Sequence, residues 1–575
     1  MTRNRPAIAR VLLVAWACLI AGLLATPAAF AQPNPRPVPQ RDWVPGRLIV
    51  RVRAAELIPM MEQEIAQMGL HVIARSITGE RLTLGVPIGA EQELRQILKR
   101  APWARWVIQD FASPGGTFTP PPSEMPAPTG GTPHPHNLWF LENTGQTITA
   151  QDGLTLTGTP GVDINILQAW ERSQGDPGVL VAVLDSGIDF LHPEFQGRIY
   201  AHDYTNLCQS QAYPNCPLVV PIAGWCLPSP GIVGGATDNF GHGTQVASVL
   251  AASADNGSPT VFDDKQFAGV DPGCTLVSFR VSFANNYSFG EYLGAVDEIL
   301  NNPVFADVRV INISHGGFTC PVSEEEDVYA AFEELGSIMS WLYVRGVFIV
   351  TISGNGGLNN LCPNNWGSVV MVGATNNQDG LMTNGSLGSG TSPNLDFVAP
   401  GWGMYVAQWD DQCDLGLQFT NGTSLAAPVV SGIASLLFAR ADVLGITLTP
   451  AMIYECLRQG AVPLGSAPYP NSEYGWGRVN AYESLMKLEE LYYTCAADVT
   501  HGNTPGAFGY GVPDGDVDPD DYNYFLAQWT ANNVLVADIA SSCSSCGQPG
   551  CSTPDGSVTY ADLFAYGCLY SAGCP

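Results

Sequence analysis

The sequence predicts an α/β protein: a doubly wound parallel sheet, preceded by a small α+β unit and followed by a small acidic, cysteine-rich helical module. Three observations carry this. Short continuous apolar runs at 179–184, 275–279, 308–313, 347–352 and 369–372 are separated by helix-like stretches, and runs without alternation mark strands buried on both faces with helices on either side. Residues 43–111 instead alternate short strand-like and helix-like segments. The last 81 residues, from Cys495, hold nine Asp and no Glu, Lys or Arg. A length of 575 residues suits several units, since domains run to roughly 100–200 residues each.

At the N-terminus, Arg3, Arg5 and Arg10 precede an apolar run from Val11 to Ala25, and Ala29-Phe30-Ala31 supplies small residues before an expected cut at Gln32. Residues 1–31 therefore read as a secretory signal peptide. The run falls short of the ~20 apolar residues of a spanning helix, and no later segment reads as long enough, so no membrane span is expected after cleavage. Losing Cys18 takes 15 cysteines to 14, an even number in a compartment that permits disulfides. The expected location is secreted or cell-surface associated, extracellular or periplasmic.

Residues 47–53 alternate in polarity, 54–69 read as a helix, 71–76 and 81–87 as strands, 90–100 as a second helix and 103–110 as a last strand. The order β-α-β-β-α-β is the ferredoxin-like pattern, here over 43–111. Eight prolines within 112–135 mark a linker. The main domain spans 136–493, closing with Gly475-Trp476-Gly477-Arg478-Val479-Asn480 and a final helix. The acidic tail is 495–575.

Hydrophobic residues make up 46% of the chain, which excludes wholesale disorder. Against 24 basic residues stand 53 acidic ones, a net charge of −29 that repels phosphate backbones and excludes nucleic acid as a partner. The excess is uneven. Through residue 111 there are 14 basic and 8 acidic residues, leaving 10 and 45 for the remainder, so attraction between the two parts is expected, screened at long range by salt.

Three segments carry the chemistry. The run ending at Leu184 delivers Asp185-Ser186-Gly187-Ile188-Asp189, a carboxylate at the carboxyl end of a buried strand, where open α/β sheets place their sites. Taken alone, an Asp that ends a strand is more often a turn or cap residue than a catalytic one. Asp238-Asn239-Phe240-Gly241-His242-Gly243-Thr244 leads into a helix; the two glycines leave the imidazole open, as a general base requires, although a capping histidine has the same surroundings. Phe419-Thr420-Asn421-Gly422-Thr423-Ser424-Leu425-Ala426-Ala427-Pro428 opens another helix, so Ser424 stands where free amides and the helix dipole favour negative charge, or serves as a plain N-cap.

Together, the order Asp, His, Ser in these surroundings resembles the subtilase family of serine proteases over roughly Leu138–Ala481, and Trp139-Phe140-Leu141-Glu142-Asn143-Thr144-Gly145-Gln146 resembles that family's start. The resemblance implies a sheet of subtilisin type and a peptide-bond hydrolase in which Ser424 attacks the scissile carbonyl, His242 takes and returns the proton, and Asp185 fixes the imidazole tautomer. Val347 to Gly357 resembles the family segment that supplies an oxyanion-hole amide, which implies that role for Asn355. Val310-Ile311-Asn312-Ile313-Ser314-His315-Gly316-Gly317 resembles the strand that pairs with extended substrate, which implies substrate binding at Ser314, His315, Gly316 and Gly354. His315 stands where the family has an apolar residue. The long loop between Asp185 and His242, with Cys208, Cys216 and Cys226, reads as a stapled surface insertion.

The 43–111 unit resembles the family's inhibitory propeptide, which implies self-processing, with a permanent binding domain of the same fold as the alternative. In the tail, Asp498, Asp514-Gly515 and Asp521 recur as Asp538, Asp555-Gly556 and Asp562, offset by 40, 41 and 41 residues. These resemble paired dockerin-type repeats, although Asp514 lies 16 residues after Asp498, longer than a standard calcium loop allows. The resemblance implies Ca2+ as a structural ion and a cohesin-like or cell-surface receptor; acidic turns held by the tail's six cysteines are the alternative. Glu194, in His192-Pro193-Glu194, matches a family calcium-ligand position. No cofactor is expected for catalysis. Two rival readings remain: a sedolisin-like acid peptidase, against which Gly241-His242-Gly243-Thr244 argues, and a surface adhesion or scaffold protein with an inactive protease fold.

Overall fold

The computed structural model of the chain describes residues 42–113, 138–150, 153–189, 192–195, 197–200, 238, 240–254, 267–283, 286–315, 318–319, 326–356, 361–362, 366–384, 387–407, 417–492 and 519–530. The signal peptide, Cys208, Cys216, Cys226, Gly316, Asp498, Asp514, Asp538, Asp555 and Asp562 lie outside these residues, as does the linker from 114 onward.

The N-terminal module runs β1 (Asp42–Val52), α1 (Ile58–Gln67), β2 (His71–Arg75), β3 (Arg81–Gly85), α2 (Glu91–Leu98) and β4 (Ala104–Ser113). Its strands lie in the order β2-β3-β1-β4 and are antiparallel, with Ile49 opposite Thr83 on one side and Ile108 on the other. Because side chains alternate across a strand, this sheet has two apolar faces. Leu48, Val50 and Val107 pack with Met61, Ile65 and Leu98 of its own helices. Ile49, Trp106, Ile108 and Phe111 point the other way, into the main domain.

The main domain holds β5 (Leu180–Asp185), α3 (His242–Ala251), β6 (Thr275–Arg280), β7 (Asn286–Ser288), α4 (Phe289–Asn301), β8 (Val308–Ile313), α5 (Glu326–Val344), β9 (Phe348–Ile352), β10 (Val370–Thr375), β11 (Phe397–Pro400), α6 (Thr423–Leu444), α7 (Pro450–Gly460) and α8 (Ala481–Tyr492). Six strands form one sheet in the order β11-β10-β9-β8-β5-β6, parallel at every pairing. All five apolar runs read from the sequence are in it. Val181 and Val183 face one core cluster with α3 and α6, while Leu180, Ala182 and Leu184 face the other with α4 and α5. Alternate residues of one strand thus feed two cores, and this requires helices on both faces.

Two expectations need correction. Residues 112 and 113, assigned to the linker, continue β4, because Ala112 pairs with Ser288 and Ser113 with Tyr287 of β7. The sheet of the N-terminal module is therefore continuous with an edge of the main domain. Second, a later segment does have the length and apolarity of a membrane span: α6, with 22 residues. Thr423 through Ala441 are all buried, and a helix apolar on every side is what a position between a sheet and its covering helices demands. Downstream, α9 (Pro519–Thr530) is described and includes Asp521 in its first turn.

Cys274 and Cys456 are free and fully buried. Burial pushes both thiols up, that of Cys456 to about 12, so neither is a ready thiolate.

Candidate active site

The carboxyl ends of β5, β8 and β9 and the N-terminal ends of α3 and α6 build one site. Asp185 is the last residue of β5 and has no exposed surface. Its Oδ1 accepts from Ser186 N at 2.7 Å and from His242 Nδ1 at 2.7 Å. A carboxylate only accepts, so Nδ1 carries the proton and Nε2 is left as the basic nitrogen.

Glycine makes this approach possible. Gly241 has φ +93°, and a Cβ on Gly243 would lie 2.0 Å from the Gly187 carbonyl oxygen, so a side chain there would force α3 away from the turn after β5. Asp238 locks the same turn. Its Oδ1 accepts from Ser186 Oγ (2.8 Å), Phe240 N (2.9 Å) and Gly241 N (2.7 Å), and its Oδ2 from Thr244 N (2.9 Å) and Thr244 Oγ1 (2.5 Å). Ser186 Oγ in turn accepts from Gly243 N at 2.8 Å. The sequence displays Asp238 beside the histidine motif but not this work; its signal is a carboxylate three residues before the glycine that opens a helix.

Ser424 is the second residue of α6 and 8% exposed, while the helix behind it is sealed. Asn355 follows β9, and its Oδ1 accepts from Thr423 N at 2.8 Å and Thr423 Oγ1 at 2.9 Å. That fixes the amide, with Nδ2 turned the other way. A Cβ built on Gly422 would lie 2.7 Å from Ser424 Oγ, 3.5 Å from Ser424 N and 3.6 Å from Asn355 Nδ2. One hydroxyl and two N–H donors therefore border the same point, the arrangement an oxyanion needs. Among the described residues no hydrogen bond joins Ser424 Oγ to His242; such contacts are often long before substrate is bound.

Burial acts to raise the Asp185 pKa, but the attraction and hydrogen bond of His242, with the Ser186 amide, prevail and hold it below the usual value. Burial likewise acts to lower that of His242, and the attraction of Asp185, its hydrogen bond and Asp238 prevail, raising it. The two shifts share one origin, the attraction and hydrogen bond between the partners.

Ser314 is buried, and its Oγ accepts from Asn312 Nδ2 at 2.9 Å while Asn312 Oδ1 accepts from Ser431 Oγ of α6 at 2.9 Å. The Asn312 side chain thus ties β8 to α6 and holds Ser314. His315 is 2% exposed and stacks on Tyr287, with ring centroids 4.3 Å apart at 20°, and meets Tyr292 edge-on at 5.2 Å. Burial first of all lowers its pKa, to about 4, so the ring is neutral. Gly354 has φ +91° and precedes Asn355. Glu194 is buried, with its backbone oxygen accepting from Ser253 N at 3.1 Å and Oγ at 2.9 Å. Among the described residues no three His, Cys, Asp or Glu side chains gather in a way that would hold a metal.

Replacing Asn355 with alanine removes one donor from this point and is expected to lower kcat by about 10²–10³-fold with KM little changed. Steady-state kinetics on a peptide amide check this.

The model of the subtilase family matches residues 176–477. The chain is similar to the thermophilic serine proteinase of Bacillus sp. (strain AK1), 24% identical over 55% of this chain and 64% of that protein. It therefore spans just under two thirds of that relative's length. It is similar to alkaline protease 1 of Aspergillus clavatus, 25% identical over 76% of this chain and 92% of that one. Among solved structures, fervidolysin from Fervidobacterium pennivorans, a keratinolytic enzyme related to subtilisin, matches with a TM-score of 0.51 and 18% identity, covering 77% of this chain and 61% of that one; this likeness concerns the fold. More than half of the chain lies within the family match, so the chain belongs to the subtilase family, and that membership supports a serine endopeptidase.

Proposed function

We propose that the chain is a secreted, self-processing serine endopeptidase that hydrolyses peptide bonds in proteins through Asp185, His242 and Ser424. The observation that carries this is the 2.7 Å contact of His242 Nδ1 with the fully buried Asp185, at the same sheet edge where Ser424 Oγ and Asn355 Nδ2 border one point. Ser424 Oγ attacks the scissile carbonyl as its proton passes to His242 Nε2, and the resulting oxyanion accepts from Asn355 Nδ2 and Ser424 N. The proton then goes to the leaving amine, giving an acyl-enzyme that water hydrolyses by the reverse sequence. Asp185 holds the tautomer throughout. A sedolisin-like mechanism would need a carboxylate as base, and the Asp185–His242 contact favours the histidine reading.

The N-terminal module is proposed to be an inhibitory propeptide. Basic side chains of the module meet acidic ones of α4 and α5: Arg47 with Glu291 (2.9 Å), Arg51 and Arg81 with Glu334 (3.1 and 2.9 Å), Arg81 with Asp297 (3.3 Å) and Lys99 with Asp327 (3.0 Å). Asp110 Oδ1 accepts from Gly290 N at 3.0 Å at the N-terminus of α4. The module's last strand ends at Ser113 against Tyr287, whose hydroxyl donates to Asp185, so that strand end lies beside the site. Substrate backbone would pair near Ser314, His315, Gly316 and Gly354. The tail is proposed as an attachment module for a cohesin-like or cell-surface receptor, with Ca2+ as its structural ion, on the strength of its repeat alone.

A fluorophosphonate probe tests the central reading. The expected result is one covalent adduct, on Ser424. Because His242 must be neutral to accept the proton and its pKa is raised, the labelling rate should fall about tenfold per pH unit below a limb that lies above the ordinary histidine value. A processed, folded chain that takes no label at any pH refutes the reading.

A further inference from the structure

The hydroxyl of Tyr287 donates to Asp185 Oδ1 at 3.0 Å, and the same oxygen lies 3.3 Å from His242 Nδ1. Three donors therefore converge on Asp185 Oδ1: the Ser186 amide, the His242 ring and this phenol. We propose that Tyr287 is a positioning residue of the site, its hydroxyl fixing the Asp185 carboxylate against His242 and trimming the negative charge the imidazole senses. This rests on the hydrolase reading above.

Four features support a built arrangement rather than a passing contact. The ring is clamped, stacked on His315, which is itself held edge-on by Tyr292 and Phe318. Among the described residues neither ring nitrogen of the neutral His315 has a hydrogen-bond partner, and its stacking makes it a flat support for Tyr287. The phenol stays protonated, since burial first and Asp185 second push its pKa well up, and it can act only as a donor to the carboxylate. Finally, the backbone of Tyr287 is pinned in β7 by pairing with Ser282 of the main domain and, while the N-terminal module is attached, with Ser113 as well. Ring, hydroxyl and backbone are each fixed separately.

The electrostatic sense is definite. The groups facing His242 are Asp185 from β5, Asp238 from the turn before α3, Tyr287 from β7 and His315 after β8. A phenol donating to Asp185 offsets part of the carboxylate's charge. Without it, the carboxylate stabilises the imidazolium more, and the His242 pKa rises further. The orientation of the pair is also released, which lowers the fraction of bound substrate that meets a correctly aimed base.

The test uses Tyr287→Phe, which keeps the ring and its stacking and removes one oxygen. In the processed, active enzyme, kcat is expected to fall about tenfold with KM within about twofold, because a hydrogen bond to a charged group is lost from the transition state. The acid limb of kcat/KM is expected to move to higher pH by about half a unit or more. In the full-length Ser424→Ala chain, the NMR titration of ¹³C-labelled His242 is expected to show the same upward shift with no turnover involved. If both the rate and the His242 titration match the wild type, while Tyr287→Leu is impaired, the ring only packs and the proposal is overturned. If Tyr287→Phe does not fold, 3-fluorotyrosine placed at 287 provides a stronger donor and is expected to move the titration downward; no shift overturns the proposal. A wild-type chain that neither hydrolyses nor labels refutes the hydrolase reading, and the titration still decides what the hydroxyl does.

Discussion

Ser424→Ala is expected to lower turnover by about 10⁴–10⁶-fold and to leave the N-terminal module covalently attached to the main domain. The substitution removes one oxygen from the second position of α6, a helix whose residues from Thr423 to Ala441 are buried regardless of that hydroxyl, so the fold should stand. What goes is the hydroxyl at the Gly422 point proposed to form the acyl-enzyme; Asn355 Nδ2 and Ser424 N remain as donors. The residual rate would therefore report those donors acting on water-dependent hydrolysis alone. Initial rates on a peptide substrate, with intact-mass measurement of the expressed chain, check both halves. Hydrolysis at wild-type rate would reassign the nucleophile, whereas lost hydrolysis with normal processing would mean that another protease cuts the chain.

Arg81→Ala is expected to loosen the N-terminal module from the main domain by about 3–5 kcal/mol, a factor of about 10²–10³ or more in docking. The Arg81 side chain is 6% exposed and bridges Glu334 Oε1 at 2.9 Å, Asp297 Oδ2 at 3.3 Å and the Leu293 carbonyl at 3.3 Å. Removing it leaves Asp297 Oδ2 without its cation in a sheltered interface and Glu334 with Arg51 as its remaining one, and that penalty, rather than the pair's own attraction, sets the size of the effect. Lys99, 34% exposed and paired with Asp327, is the control: its loss should cost no more than about 1 kcal/mol and fade with salt. Hydrogen exchange of the β4 amides in the full-length Ser424→Ala chain measures both. Glu334→Gln should repeat much of the Arg81 effect, and the double variant should add little, since the two changes remove one interaction. If the β4 amides are equally protected in all three, docking rests on Phe111 and its apolar neighbours instead. Phe111 stacks on Phe289 and Phe332 at centroid distances of 4.5 and 5.7 Å, and burying a side chain of that size contributes about 1.5–3 kcal/mol.

The sequence displays the sheet well because burial on both faces writes itself as an uninterrupted apolar run. Five of the six parallel strands are such runs. The sixth, β11, has four residues and ends in Pro400; it escapes notice because an edge strand can be short and tolerates a proline that a central strand would exclude. The chemistry is legible to the extent that it is local. His242 and Ser424 stand among glycines at helix starts, a pattern visible in a dozen residues. Tyr287 is not legible, because its hydroxyl reaches Asp185 across 102 positions of chain, and nothing in Asn286-Tyr287-Ser288 announces that register. His315 stands out in the sequence as a departure, but its surroundings do not: only the fold shows a neutral ring lying flat under a tyrosine. The last two residues of β4 read as linker because their strand partners come from β7, far away in the chain.

The burial of α6 has a bearing on how this molecule ages. Ser424, the proposed nucleophile, sits at the tip of a helix that no local fluctuation can free, since opening any turn from Thr423 to Ala441 means parting both the sheet and the covering helices. Local openings of a protein draw on its weakly packed segments, and the serine is anchored in the opposite kind. A protease surrounded by copies of itself is exposed at its loops, while the hydroxyl proposed to do the cutting keeps its place until the whole domain melts. Its working lifetime is then set by the barrier to global unfolding, a rate rather than an equilibrium.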